Sequence, residues 1–237
     1  MSVNFDELQS RQNLMFNPLI FIRRCVILWC WFVWSNLCYN LMKTWFNNFL
    51  LVDFDIIEEW NLLNQTYTEE DLWKKKTEAL ANQLILNAPM SIYTEQANDI
   101  KDIIDWKVEL IDWDIIFLSA DNVDIRRDFV GWYAKQQESW NLLNCIIAII
   151  WTSSDVIWIY INQKSIQGLK KMYDIYNKPK ENYNAWLCGN KSAYFLGSLV
   201  SWITISHLKN DFFPYDIENE VSKIWVNGTN ELVDFKF

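Results

Sequence analysis

Glycine occupies only 5 of the 237 positions and proline only 4. Tight connections rely on these residues, glycine for positive φ and proline for a fixed φ, so sandwiches and doubly wound α/β sheets use them at nearly every turn. A chain this poor in both is expected to be all-α, a compact multi-helix bundle. At 51% hydrophobic and 22% charged it buries a core instead of remaining disordered. The run 25–42 carries no charge and follows Arg23 and Arg24. Apolar around nearly its whole circumference, it is expected to form the long central helix of the bundle.

The same run, with 145–162 and 192–208, suits an alternative: a small integral membrane protein with up to three spans, lysine-rich between the second and third. Polar residues dilute each stretch, among them Asn36, Asn40, Asp155, Ser198 and Ser201. A carboxylate such as Asp155 near a bilayer centre costs roughly 2.5–3.5 kcal/mol. No Ala or Gly precedes Ala79, so a small-x-small leader cleavage site is missing. A soluble, cytoplasmic protein is therefore expected.

Along the chain, Thr68 with Asp71 forms a capping-box pattern before a helix that Pro89 stops. The clearest periodicity runs over 100–118. Ile100, Ile104, Val108, Ile111, Ile115 and Leu118 fall on one side at about 100° per residue, and Asp102, Asp105, Glu109 and Asp112 on the other. Asp114 sits at the edge of the apolar side, with Arg126 or Arg127 as its expected partner. Further helices are expected near 125–151, 155–177, 180–188 and 191–209. The organisation is an N-terminal helical part, 1–120, with the acidic surface helix, and a C-terminal helical part, 121–237, packed as one body.

Charge is unevenly spread. Residues 53–128 hold 7 basic and 18 acidic side chains, a net charge of −11. Such a surface repels nucleic acid and favours a basic partner. The five cysteines, Cys25, Cys30, Cys38, Cys145 and Cys188, form no C-x-x-C pair and are expected to be reduced core residues. There is one histidine, His207, no Walker loop, no H-E-x-x-H and no G-x-G-x-x-G, and the glycines never cluster. From this no catalytic residue, no metal and no cofactor is expected, and the protein is taken not to be an enzyme.

The C-terminal region carries a resemblance. Tyr183 to Trp186, Ala193-Tyr194-Phe195-Leu196-Gly197, an apolar helix to Leu208, and Asp211-Phe212-Phe213-Pro214-Tyr215-Asp216-Ile217 together resemble the end of PoNi-type immunity proteins. The apolar stretch 142–151 followed by Ser153-Ser154-Asp155 is similar to that family's leucine-rich helix and loop. The usual Gly-Tyr-Trp is not reproduced after Tyr194, where the chain reads Phe195-Leu196-Gly197. The resemblance covers roughly residues 128–217. It implies an all-helical protein of the toxin–antitoxin kind that neutralises a nuclease toxin delivered by bacterial secretion, such as type VI. Its partner would be a basic nuclease toxin, met through Asp102, Asp105, Glu109 and Asp112 with Trp186, Phe212 and Tyr215 as aromatic anchors. Direct nucleic-acid and membrane contacts are not expected, and a homodimer is left open.

Overall fold

The computed structural model describes residues 21–177 apart from 30–31, 64, 89–90, 106, 121, 140, 142–144, 153–155 and 163–165, together with 198, 201, 204–205, 222–226 and 232–233. Its centre is a sheet. Strands β1 (Cys25–Leu28), β2 (Asn48–Val52), β3 (Tyr93–Ala97), β4 (Ile115–Leu118) and β5 (Ile146–Thr152) pair in parallel in the order β3-β2-β1-β4-β5. Beyond β5 the sheet continues antiparallel through β6 (Val156–Asn162), β7 (Ser222–Val226) and β8 (Leu232–Val233). Helices α1 (Phe32–Lys43), α2 (Lys76–Asn87), α3 (Ile100–Ile104), α4 (Val123–Glu138) and α5 (Ile166–Tyr176) connect or follow these strands. The fold is α/β and doubly wound, and the all-α expectation is wrong.

The strands show why. β1 reads CVIL, β4 reads IIFL and β5 opens IIAII, runs with no polar alternation. A parallel strand covered by helices on both faces is apolar on both, so such a run is its normal signature. Alternate residues feed two separate cores. Cys25, Ile27, Phe49, Leu51, Ile115, Phe117, Ile146 and Ala148 pack on one face with α1 and α2, through Trp34, Leu37, Leu41, Leu80 and Leu84. Val26, Leu28, Leu50, Val52, Ile116, Leu118, Ile147 and Ile149 pack on the other with α3, α4 and α5, through Ile103, Phe129, Tyr133, Leu169 and Met172. Where α4 crosses α5 the backbones come close. A Cβ at Gly131 would lie 2.8 Å from the Tyr173 ring.

The expected central helix over 25–42 is thus β1 followed by α1, and the expected helix over 125–151 is α4 followed by β5. The stretch 145–162 contains β5 and β6, so two of the three supposed spans contain strands. Among the described residues no helix is long and apolar enough to cross a membrane. The third stretch, 192–208, lies almost wholly outside the described residues. β4 and β5, which lie on either side of position 120 in the chain, pair directly with each other.

The amino ends of the strands are tied by Arg24. Its Nε and Nη2 donate to the two oxygens of Asp114 at 3.1 and 2.9 Å, Nη1 donates to Glu95 at 3.1 Å, and Nη2 also reaches the Glu109 carbonyl at 2.8 Å. Asp114, fully buried, is therefore the partner of Arg24 and not of Arg126 or Arg127. Removing Arg24 leaves the buried Asp114 carboxylate without its cation, a loss of about 3–5 kcal/mol.

Cys25, Cys38 and Cys145 are free and buried, while Cys30 and Cys188 lie outside the described residues. Burial pushes all three thiols up, that of Cys145 to about 12. Site-resolved alkylation of the native protein at pH 8 is expected to spare these three until denaturant is added. Phe117 is fully buried at the sheet centre, in the core beneath α1 and α2. Phe117→Ala is expected to lower the unfolding free energy by about 3–5 kcal/mol, measured by denaturant titration.

Candidate functional site

Strand order reverses between β1 and β4. In open α/β sheets the crevice outside the carboxyl ends of the strands at such a reversal is where ligands bind. Two helices start there, α1 after β1 and α4 after β4. Asn122 caps α4, its Oδ1 accepting from the Asp124 and Ile125 amides at 2.8 and 3.4 Å. Arg126, in the first turn of α4, is buried and donates from Nε to the Ala120 carbonyl and from Nη1 to the Ile150 carbonyl at 2.9 Å. Its guanidinium thus fixes the β4–α4 turn against β5.

The acidic side of the crevice follows β2. Asp53, 1% exposed, stands directly after the strand and accepts from the Asp55 amide at 2.8 Å. Asp55 accepts from the Lys76 ammonium at 2.7 Å, and Lys76 is itself 1% exposed at the start of α2. Between them, the short helical turn Glu59–Leu63 carries Asn61, and Gln65 follows. Asn61 Nδ2 and both terminal atoms of Gln65 are buried without hydrogen-bond partners among the described residues. Buried polar groups are nearly always satisfied. Three such atoms on one segment leave hydrogen-bonding capacity that a polar ligand could use. The segment lies against α1, since the Thr66 amide donates to Ser35 Oγ at 3.3 Å.

Loop 53–75 is held by a bridge between Ile56 and Lys75 and by Asp71. Asp71 accepts from the Thr68 amide and hydroxyl at 3.0 and 3.1 Å and from Gln83 Nε2 at 2.8 Å. The capping box read from sequence exists, but on the one-turn element Glu69–Asp71 and not on a long helix.

The turn after β1 departs from every expectation for such a site. A nucleotide's phosphates sit there when the turn reads G-x-G-x-x-G, because glycine lets the backbone approach the phosphate and the helix approach the strand. Here the spacing is Trp29-x-Trp31-x-x-Trp34. Trp29 has φ 83° and packs edge-on against Phe54, centroids 5.1 Å apart, over the ends of β1 and β2. As written, this turn does not fit a phosphate chain, whereas Asp53, Asn61, Gln65 and Lys76 suit the polar parts of a nucleotide. No cluster of three or more His, Cys, Asp or Glu able to hold a metal occurs among the described residues.

The ThiF family model matches residues 24–142, from β1 through α4. The chain belongs to the ThiF family. Solved structures agree on the fold. E. coli MccB with ATP is 17% identical with a TM-score of 0.65, over 94% of this chain and 69% of that one. The microcin C7 biosynthetic enzyme MccB in complex with N-formylated MccA is 18% identical with a TM-score of 0.65, over 97% and 71%. PaaA is 14% identical with a TM-score of 0.69, over 97% and 72%. No curated protein matches the chain in sequence.

ThiF membership and the α/β sheet overturn the resemblance to PoNi-type immunity proteins, and with it the expectation of a non-enzymatic toxin inhibitor. The acidic helix dissolves too. Asp102 lies in α3, where it completes a capping box with Asp99 and pairs with Lys107 at 3.0 Å. Asp105 follows the helix end, 4.0 Å from Lys107. Glu109 and Asp112 fall in the connection to β4, so the four do not share a helix face. Trp186, Phe212, Tyr215 and His207 lie outside the described residues. Sequence reasoning passed over Asp53, Asn61, Gln65, Lys76 and Arg126. The signal for them was Leu50-Leu51-Val52-Asp53, an apolar run ending on an acid 24 residues after Trp29.

Burial pushes the Asp71 carboxyl up, but the Thr68 amide, Gln83, the Thr68 hydroxyl and Lys74 outweigh it and hold the group below its ordinary value. A depressed carboxyl contributes stability above its unfolded pKa of about 4 and loses it as pH falls through the lower folded value. Asp71→Asn is therefore expected to be less stable than wild type at pH 7, with the gap closing below about pH 4. Urea midpoints across pH check this.

Proposed function

We propose that the chain is an ATP-dependent adenylyltransferase-type enzyme, with the nucleotide in the crevice at the carboxyl ends of β1, β2 and β4. In that class of reaction an acceptor oxygen attacks the α-phosphorus, the bond to the bridging oxygen breaks, and pyrophosphate leaves with the electron pair. The observation that carries the proposal is the ThiF match over the whole β1–α4 unit, with orphaned Asn61 and Gln65 atoms in the loop that follows Asp53. The likeness to MccB, solved with ATP, supports it.

Roles follow from position. Asp53, at the end of β2, stands where an acidic residue accepts hydrogen bonds from a ribose. Lys76, held by Asp55, supplies a positive charge beside the crevice that can offset phosphate charge. Asn61 and Gln65 bring polar atoms that have no partner within the described residues. Arg126 acts at one remove, by fixing the turn that borders the crevice.

The test is isothermal titration of ATP into protein isolated from its own cells. Binding is expected, with Asp53→Ala weakening it about tenfold or more, about 1.4 kcal/mol. Circular dichroism should leave the fold of the variant intact. ATP binding that is absent, or indifferent to Asp53→Ala, would remove the proposal.

A further inference from the structure

Among the described residues four that are not glycine have positive φ: Trp29 at 83°, Trp45 at 80°, Trp73 at 68° and Trp113 at 93°. All four are tryptophan. L-residues avoid this side of the map because Cβ collides with the backbone. The residues that tolerate it are glycine first, then asparagine and aspartate. Tryptophan has no such tolerance, and with 15 Trp among 237 residues four out of four is not a chance draw.

Other observations agree. The three positions 29, 31 and 34 have the G-x-G-x-x-G spacing, directly after a strand and running into a helix, the context that motif requires. Trp34 is fully buried in α1 with its indole N–H lacking a partner among the described residues. The third motif glycine sits at that position so that helix and strand can pack closely. Trp73 and Trp113 are 65% and 55% exposed, so burial does not offset their backbone conformation. Finally, Gly and Trp together make up about 8% of the chain, close to the roughly 7% that glycine alone holds in an average protein.

We infer that positions 29, 31, 34, 45, 73 and 113 are glycine in the protein as its own cell makes it, because the codon there is UGA and is decoded as glycine. UGA is a stop codon in the standard code, is tryptophan in some variant codes, and lies one base from the glycine codon GGA. This rests on backbone geometry and spacing, not on the proposed activity. Its consequence for that activity is direct. With glycine at 29, 31 and 34 the sequence that follows β1 reads G-x-G-x-x-G, the pattern whose glycines let a backbone approach a pyrophosphate.

Three experiments decide it. The gene should carry UGA at the six positions, and UGG at the four left-handed ones would overturn the inference. Tandem mass spectrometry of peptides from the natively produced protein should find glycine there, each replaced position making its peptide lighter by an indolylmethyl group less one hydrogen. Tryptophan would overturn it. Expression of the unaltered gene in a standard-code host should stop after Leu28, since Trp29 is the first tryptophan, and a full-length product would overturn it. Glycine found without ATP binding would leave this inference standing and remove the adenylyltransferase proposal. Tryptophan found with ATP binding would do the reverse.

Discussion

Parallel pairing of β1 with β2 on one side and β4 on the other is the constraint on which the rest depends. A strand in that position has no free edge and no wet face, so every residue of CVIL is buried. Its two faces then dictate the layers, α1 and α2 against one and α3, α4 and α5 against the other. The order reversal beside β1 opens the crevice, and residues placed just past β1, β2 and β4 necessarily border it. The buried Arg24–Asp114 pair closes the opposite ends of the same strands, so stability and site occupy opposite edges of one sheet.

Much of the core was legible in the sequence as apolar positions, but the type of element was not. Short apolar runs of four or five residues do not distinguish a buried strand from part of a helix. Over 100–118 the isoleucines fit a helical period by coincidence. The helix closes after Ile104, where the Asp105 amide turns back to the Lys101 carbonyl, and Lys107 and Val108 both donate to the Asp102 carbonyl. Ile115 to Leu118 is then a strand. By contrast, the stop of α2 near Pro89 was readable, because a proline constrains its predecessor locally.

The missed site has the same root as the missed fold. Scarce glycine argued against α/β architecture, and the lack of glycine clusters argued against a phosphate cradle. Both steps assume that left-handed backbone requires glycine in the written chain. At Trp29, Trp45, Trp73 and Trp113 the backbone adopts that geometry under another residue. The legible signal was the spacing of Trp29, Trp31 and Trp34 after an apolar strand.

The outer strand β3 has a consequence for how this molecule meets its copies. It reads YTEQA and is largely exposed except at Ala97. Glu95 in its middle keeps most of its surface in water while gripping Arg24 from beneath. An incoming strand would have to dock along a polar rim whose carboxylate is already engaged. Charged, short borders of this kind discourage edge-to-edge polymerisation. At the far end of the sheet, β8 spans two residues and offers little template. Growth by sheet continuation is therefore blunted at both of these strands.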